Sequence, residues 1–227
     1  MWYYYLSGLL FFASLIISFS VKYNFKKYSK EQSSSNISGA EAAYKILRSQ
    51  NINDVTIVAI DGTLTDNYNS TKKTLNLSKE VFYGRSVSAI AVASHECGHA
   101  IQHAQNYPLM NLRKTIVPLT NISSYLSYFS IMIGIILERS GLITFGAILF
   151  SVIVLFNLVT LPVEIDASKR ALTLTTELNL FTTDQEYKNG KKVLTAAGLT
   201  YFIALVSAIL QLIRLLSMAN SSKKRND

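Results

Sequence analysis

Three residues within one short stretch, His95, Glu96 and His99, form the pattern H-E-x-x-H. The residues before it (87–93) are small or apolar, as expected of a buried helix. In a helix, His95 and His99 lie one turn apart on the same face, where two imidazoles can bind one Zn²⁺. Glu96 lies off that face, so we predict that it is not a ligand. Its carboxylate is placed to act as general base on a water activated by the metal.

His103 continues the same helical face, but it lies too far from His95 to share one metal ion. At a rise of about 1.5 Å per residue, the two are about 12 Å apart along the helix axis. Metzincins bring a third histidine back by a glycine turn, and residues 100–102 contain no glycine. We predict that His103 supports the ligands from behind or lies on the helix surface. Cys97, the only cysteine, is predicted to be a small buried residue.

Apolar residues are gathered in long blocks rather than spread along the chain, and they make up 49% of its 227 residues. Such blocks are typical of a membrane protein. The net charge is +8, but the basic residues flank the apolar blocks instead of forming a mixed basic and aromatic face. We therefore interpret them as topology signals, and we expect the lipid bilayer and no nucleic acid as a partner.

The first apolar block covers residues 2–21 and is almost free of charge. About twenty such residues suffice to cross a bilayer. Because no lysine or arginine precedes the block, we predict an uncleaved anchor rather than a cleaved signal peptide. The basic residues that follow it predict that this end is cytoplasmic; they are Lys22, Lys26, Lys27 and Lys30.

The segment between the anchor and the motif shows signals for a helix and two strands. Ser38 and Glu41 form a capping-box pattern that opens a helix ending near Arg48. Strands are predicted at 51–60 and 73–77, separated by a turn-rich segment. These strands either offer an exposed edge to an extended substrate or only support the motif helix.

Two further apolar blocks, 116–137 and 142–163, predict a transmembrane hairpin. Basic residues flank both open ends of the hairpin, which predicts that both ends are cytoplasmic; they are Arg113, Lys114, Lys169 and Arg170. A fourth block, 194–218, is interrupted by Gln211 and Arg214. It either spans the bilayer or lies at its interface.

The predicted fold class is a mainly α membrane protein with a zincin-like catalytic helix, a small β-hairpin or sheet and three to four transmembrane helices. The predicted organisation has six segments. They are an anchor (1–21), a cytoplasmic catalytic region (22–115), a transmembrane hairpin (116–163), a cytoplasmic segment (164–193), a hydrophobic helix (194–218) and a basic tail (219–227).

A third metal ligand is predicted just after the hairpin, which returns Glu164 to the side of the motif helix. Asp166 is predicted to orient a ligand imidazole, or to be the ligand itself if its helix is phased differently. An oxyanion stabiliser is also needed. Since no histidine is left for this role, Tyr68 and Arg170 are the candidates.

Five stretches of the sequence resemble one known family. They are SGAEAA (38–43), LTDNYN (64–69), the segment 75–104, LPVEIDASKRA (161–171) and LTAAGLTYFIA (194–204). In this order they are similar to bacterial neutral zinc metallopeptidases of the YugP type, membrane proteins distantly related to the HtpX and Ste24 peptidases. The resemblance implies a gluzincin-like zinc site formed by His95, His99 and Glu164. The more distant relatives carry E-x-x-A-D, and Ser168 stands here where that aspartate would fall.

The predicted function is that of a membrane-bound zinc endopeptidase of the bacterial cell membrane, with its active site on the cytoplasmic side. Membrane-associated proteins are the expected substrates, because Glu164 directly follows the hairpin. A metal-binding scaffold without turnover is the main alternative, but such a protein has no need of the general base at Glu96. A small transporter would need several ionisable residues inside the apolar blocks, and the first three contain essentially none.

Overall fold

A computed structural model describes the backbone of residues 2–226 and the side chains of residue 3 and residues 5–222. The side chains of the predicted basic tail beyond residue 222 lie outside this described part. The elements are α1 (Trp2–Tyr28), α2 (Gly39–Ser49), β1 (Thr56–Ile60), β2 (Asn67–Asn69), β3 (Thr74–Ser78), α3 (Lys79–Tyr83), α4 (Val87–Ala104), α5 (Pro108–Ile136), α6 (Ser140–Glu177) and α7 (Asp184–Asn226). This mainly helical architecture with one small sheet confirms the predicted fold class.

Four helices of the described chain are long and apolar enough to cross a membrane. These candidate spans are Tyr5–Tyr28, Pro108–Ile136, Ser140–Glu177 and Asp184–Ser222. The second and third are joined by only three residues, as predicted for the arms of a hairpin. The fourth apolar block of the sequence lies inside α7, whose length suffices for a span.

Helix α6 does not end at the hairpin exit but continues through Pro162 to Glu177. Its last four turns bury one face of small and apolar side chains, among them Ala167, Ala171 and Leu174. This burial explains why the helix persists where the sequence becomes polar, because packing of one face stabilises a helix more than propensity does. Glu164 is therefore held on a continuous helix rather than on a loop.

The chain divides into two compact units, and the predicted metal ligands all belong to one of them. That unit comprises Ile16–Tyr107 and Val163–Thr200. Its sheet has the order β1-β3-β2, with β1 parallel to β3 and β2 antiparallel to it. The hairpin in the sheet is thus formed by β2 and β3, and β2 lies within the segment expected to be turns. Leu75 and Leu77 of β3 are fully buried.

Helix α4 forms the centre of this unit, with α2, α3 and the sheet packed around it. The predicted capping box opens α2: Ser38 Oγ accepts from Glu41 N–H (3.2 Å), and Ser38 N–H donates to Glu41 Oε2 (2.6 Å). The apolar face of α2 is buried, including Ile46 and Leu47. Since almost every residue of α4 is buried, its position in the unit is fixed along most of its length.

The other unit comprises the residues up to Leu15, Pro108–Pro162 and the residues from Tyr201 onwards. Within it, α5 and α6 pack through small and hydroxyl-bearing residues. Ser127 Oγ donates to the carbonyl of Gly146 (2.8 Å), and Ser130 Oγ donates to the carbonyl of Leu142 (2.8 Å). Contacts of this kind let helices approach closely in lipid, where no hydrophobic force draws them together.

Candidate metal centre

Helices α4 and α6 cross at Gly98, and this close approach builds the centre. A Cβ atom at position 98 would lie 2.5 Å from the carbonyl oxygen of Ala167, closer than real Cβ contacts. Only glycine therefore allows the two backbones to approach to this distance. The crossing places Glu164, on α6, beside the imidazoles of His95 and His99 on α4.

One oxygen of Glu164 faces the Nε2 atoms of both histidines. The Oε2 atom lies 3.3 Å from His95 Nε2 and 3.5 Å from His99 Nε2. Zinc binds such ligands at about 2.0–2.1 Å, so two ligands of a tetrahedral site are about 3.3–3.4 Å apart. The two separations from Glu164 Oε2 match this spacing. All three ligand atoms lie within 4.8 Å of one another, and Glu164 is only 2% exposed.

Gln102 fixes the orientation of the His99 ring. Its amide nitrogen donates to the carbonyl of Val163 and to Asp166 Oδ2, both at 2.8 Å. The amide oxygen therefore faces His99 Nδ1 at 3.0 Å. Because an amide oxygen can only accept, Nδ1–H must be the donor of this hydrogen bond. Nε2 of His99 then carries a lone pair directed at the centre, as a metal ligand requires.

Ser168 plays the corresponding part for His95. Its hydroxyl lies 3.1 Å from His95 Nδ1. A serine thus contacts the imidazole at the position where the more distant relatives' pattern has an aspartate. Neither Gln102 nor Ser168 was among the predicted site residues. Helical phase was the available signal, because Gln102 lies three residues after His99 and Ser168 four after Glu164.

Asp166 and Arg170 form the next layer behind Gln102. Asp166 Oδ2 accepts from Gln102 and, at 2.6 Å, from Arg170 Nε. The carboxylate is thus connected to His99 by way of the Gln102 amide. Arg170 also donates to Gln105 Oε1 (2.6 Å), and its guanidinium lies over the ring of Tyr107.

Glu96 is buried beside the two histidines, as expected for a base next to the metal. Burial raises the pKa of its carboxyl, and the neighbouring charges of His95 and His99 partly oppose that rise. A raised pKa strengthens a carboxylate as a proton acceptor near neutral pH. Cys97 is fully buried on the side of α2, with Sγ 3.7 Å from the carbonyl oxygen of Ala43, and burial raises the pKa of its thiol.

His103 lies outside the group of three ligand atoms and contacts the sheet instead. Its Nδ1 atom is 2.9 Å from the hydroxyl of Tyr68 on β2. Burial, together with the charge of Asp54, raises the pKa of Tyr68 to about 12. Tyr68 is therefore protonated at neutral pH and can donate a hydrogen bond.

The partly buried imidazole of His95, the buried imidazole of His99 and a buried carboxylate, with a second glutamate next to His95, form the donor set of H-E-x-x-H zinc hydrolases. The chain belongs to the family described as putative neutral zinc metallopeptidase, whose model matches residues 3–220. It is 42% identical over 220 residues to the "Putative membrane protease YugP" of Bacillus subtilis (strain 168), covering 96% of this chain and 95% of that protein. No solved structure matches it.

Proposed function

We propose that this protein is a membrane-bound zinc endopeptidase whose active site lies on the cytoplasmic side of the bacterial cell membrane. The observation that carries the proposal is the convergence of His95, His99 and Glu164 beside the buried carboxylate of Glu96. The family supports zinc as the metal, and the four long apolar helices support a membrane location.

The chain's own residues supply proton transfer and positioning. His95, His99 and Glu164 would hold the zinc ion, which when bound would supply a Lewis acid that lowers the pKa of a water molecule toward 7. Glu96 accepts the proton of the attacking water and then delivers it to the amine of the leaving peptide, so that the base is regenerated. Gln102 holds His99 in the tautomer that leaves the lone pair on Nε2, and the Ser168 hydroxyl contacts His95 Nδ1 and helps to orient that ring.

Tyr68 is the better candidate for stabilising the oxyanion of the transition state. Its hydroxyl is protonated at neutral pH and lies on β2, a strand that packs against α4. The Tyr68 hydroxyl lies 2.9 Å from His103 Nδ1, and it can still donate its own proton when that nitrogen donates to it. The guanidinium of Arg170 is engaged by both Asp166 and Gln105. Because an oxyanion donor must be able to turn to the reacting carbonyl, we favour the tyrosine.

Membrane-associated proteins are the proposed substrates. Glu164 lies on a helix that is itself a candidate membrane span, so few residues separate it from the apolar part of that helix. Strand β2 is an edge of the sheet and packs against α4. An extended segment of substrate can pair with this edge by strand addition, which would present a backbone carbonyl to the centre.

Replacement of Glu96 by glutamine tests the proposed mechanism. The full-length protein is purified in detergent as wild type and as Glu96→Gln, and both are assayed for zinc content and for cleavage of casein. We expect equal zinc contents and a loss of turnover of about 10²–10⁴-fold in the variant, because the amide cannot accept the proton. Equal cleavage by both proteins would refute the role of Glu96. Zinc binding without turnover in the wild type would instead favour the scaffold.

A further inference from the structure

A groove runs between α1 and α7 in the unit that carries the metal ligands. Its volume is about 510 Å³. Ser20 and Asn24 line it from α1, while Lys188, Lys191, Lys192 and Leu199 are among the residues that line it from α7. A volume of this order suits a small ligand or part of a lipid.

The charge of the groove is positive and unbalanced. Lys188, Lys191 and Lys192 lie at helical spacing on one side of α7 and are exposed, and no carboxylate lines the groove. Within the described part of the chain, none of the three makes an ion pair. Two nearby acidic groups face other partners: Glu186 accepts from Ser34 N–H and Thr182 N–H, and Glu31 accepts from Asn189. Asp184, four residues before Lys188, is exposed and does not line the groove.

The opposite end of the groove is apolar. Ala196 and Leu199 follow the lysines along α7, with the polar Thr195 at the boundary, and 44% of Leu199 is exposed. The groove thus changes from cationic to apolar over about two turns of one helix. A phospholipid is complementary to this arrangement, because its anionic phosphate is joined to apolar acyl chains.

The position of the groove along the helices matches the level of lipid headgroups. Ser20 and Asn24 lie in the last turns of the candidate span Tyr5–Tyr28, and the lysines lie near the start of the candidate span Asp184–Ser222. Headgroups occupy the polar boundary of a bilayer, and basic pockets between membrane helices bind anionic headgroups.

We propose that this groove binds an anionic phospholipid. Its phosphate contacts the ammonium groups of Lys188, Lys191 and Lys192, and one acyl chain lies against Ala196 and Leu199. The site is distinct from the metal centre and does not depend on peptidase activity. Phosphatidylglycerol is the probe, because it carries one negative charge and an otherwise uncharged headgroup.

The test compares two triple variants with equal changes of charge. Lys188→Gln, Lys191→Gln and Lys192→Gln together remove the groove's cations. Lys22→Gln, Lys26→Gln and Lys30→Gln remove three lysines from the end of α1 and the residues after it, outside the groove lining. Lys27 is left in place because its ammonium lies over the rings of Tyr23 and Tyr28.

Native mass spectrometry of the full-length protein in detergent measures the lipid retained from phosphatidylglycerol or phosphatidylcholine. We expect wild type and the α1 variant to retain phosphatidylglycerol in preference to phosphatidylcholine, and the groove variant to bind it at least about tenfold more weakly. Leu199→Asn should also weaken retention, while inorganic phosphate should not compete. Zinc content serves as the check on folding.

Three results would overturn the proposal. Equal losses in the two triple variants would mean that lysines attract lipid only as diffuse surface charge. Equal retention of phosphatidylcholine would mean that the headgroup charge is not recognised. Full competition by inorganic phosphate, with no effect of Leu199→Asn, would identify a site for a free anion instead of a lipid.

Discussion

At the scale of single residues, the two proposed histidine ligands differ in the number of hydrogen bonds made by the side chains that hold them. Gln102 is fully buried and makes hydrogen bonds to the Val163 carbonyl, Asp166 and His99, whereas Ser168 offers a single hydroxyl to His95. Groups that hold a ligand imidazole from behind typically contribute 10–100-fold to metal affinity. Gln102 is therefore expected to matter more to the metal than Ser168.

Substitution Gln102→Leu removes the acceptor for His99 Nδ1. It also removes the N–H donor of the hydrogen bonds to the Val163 carbonyl and to Asp166. We expect zinc affinity to fall by about 10–100-fold, because the His99 ring loses its fixed tautomer and orientation. Competition with a zinc chelator on purified protein measures the change. Gln105→Leu is the control: Gln105 contacts Arg170 but neither imidazole, so its zinc affinity should stay close to that of the wild type. Equal affinities of Gln102→Leu and wild type would refute the positioning role.

The proximity of His95, Glu96 and His99 was predictable from sequence because H-E-x-x-H lies within one helix, where spacing alone determines the face. Glu164 was predictable only as the residue that a returning hairpin would deliver. Gln102 was not identified, because a glutamine on a helix has no preferred partner until a second helix packs against it. The contact between Ser168 and His95 likewise depends on how α6 is phased against α4.

At the scale of elements, the crossing of α4 and α6 at Gly98 determines whether the third ligand reaches the other two. The sheet shows what local sequence patterns do not predict, namely which strands pair and in which direction. Strands near the predicted positions are present, yet β1 pairs in parallel with β3, while β2 in the turn-rich segment forms the hairpin. Alternation and turn residues identify strands, but the order of strands in a sheet follows from packing against helices such as α2 and α4.

Substitution Gly98→Ala should separate α4 from α6. The new Cβ would lie 2.5 Å from the Ala167 carbonyl oxygen, so a backbone must move and carry Glu164 away from the histidines. We expect loss of most bound zinc and a lower melting temperature. Gly198→Ala in α7 is the matched control, because no atom lies within 4 Å of its added Cβ. It should keep its zinc and gain slightly in stability, by up to about 1 kcal/mol, from better helix propensity. Normal zinc content in Gly98→Ala would show that the crossing tolerates a methyl group.

At the scale of the whole molecule, the proposed topology places both ends of the α5–α6 hairpin in the cytoplasm and its turn outside. The only native cysteine is buried, which makes introduced cysteines usable as reporters of sidedness. Gln32 lies in the loop before α2 and Glu138 in the hairpin turn, and both are exposed. Charge bias around membrane helices determines which side each loop occupies.

In intact cells, a membrane-impermeant maleimide should label Glu138→Cys and should reach Gln32→Cys only after permeabilisation. Unsubstituted protein, which keeps buried Cys97, gives the background. Labelling of Gln32→Cys in intact cells would place the loop before α2 outside and would reverse the proposed orientation.

The zinc content of Glu164→Ala, compared with that of wild type and of Glu177→Ala, decides whether Glu164 is the third ligand. Glu177 lies on the same helix as Glu164 but is exposed, so it controls for loss of a carboxylate from α6. With zinc held by His95, His99 and Glu164, we expect about one zinc per chain in wild type and Glu177→Ala and a large loss in Glu164→Ala. Full zinc occupancy at wild-type affinity in Glu164→Ala would contradict the proposed centre.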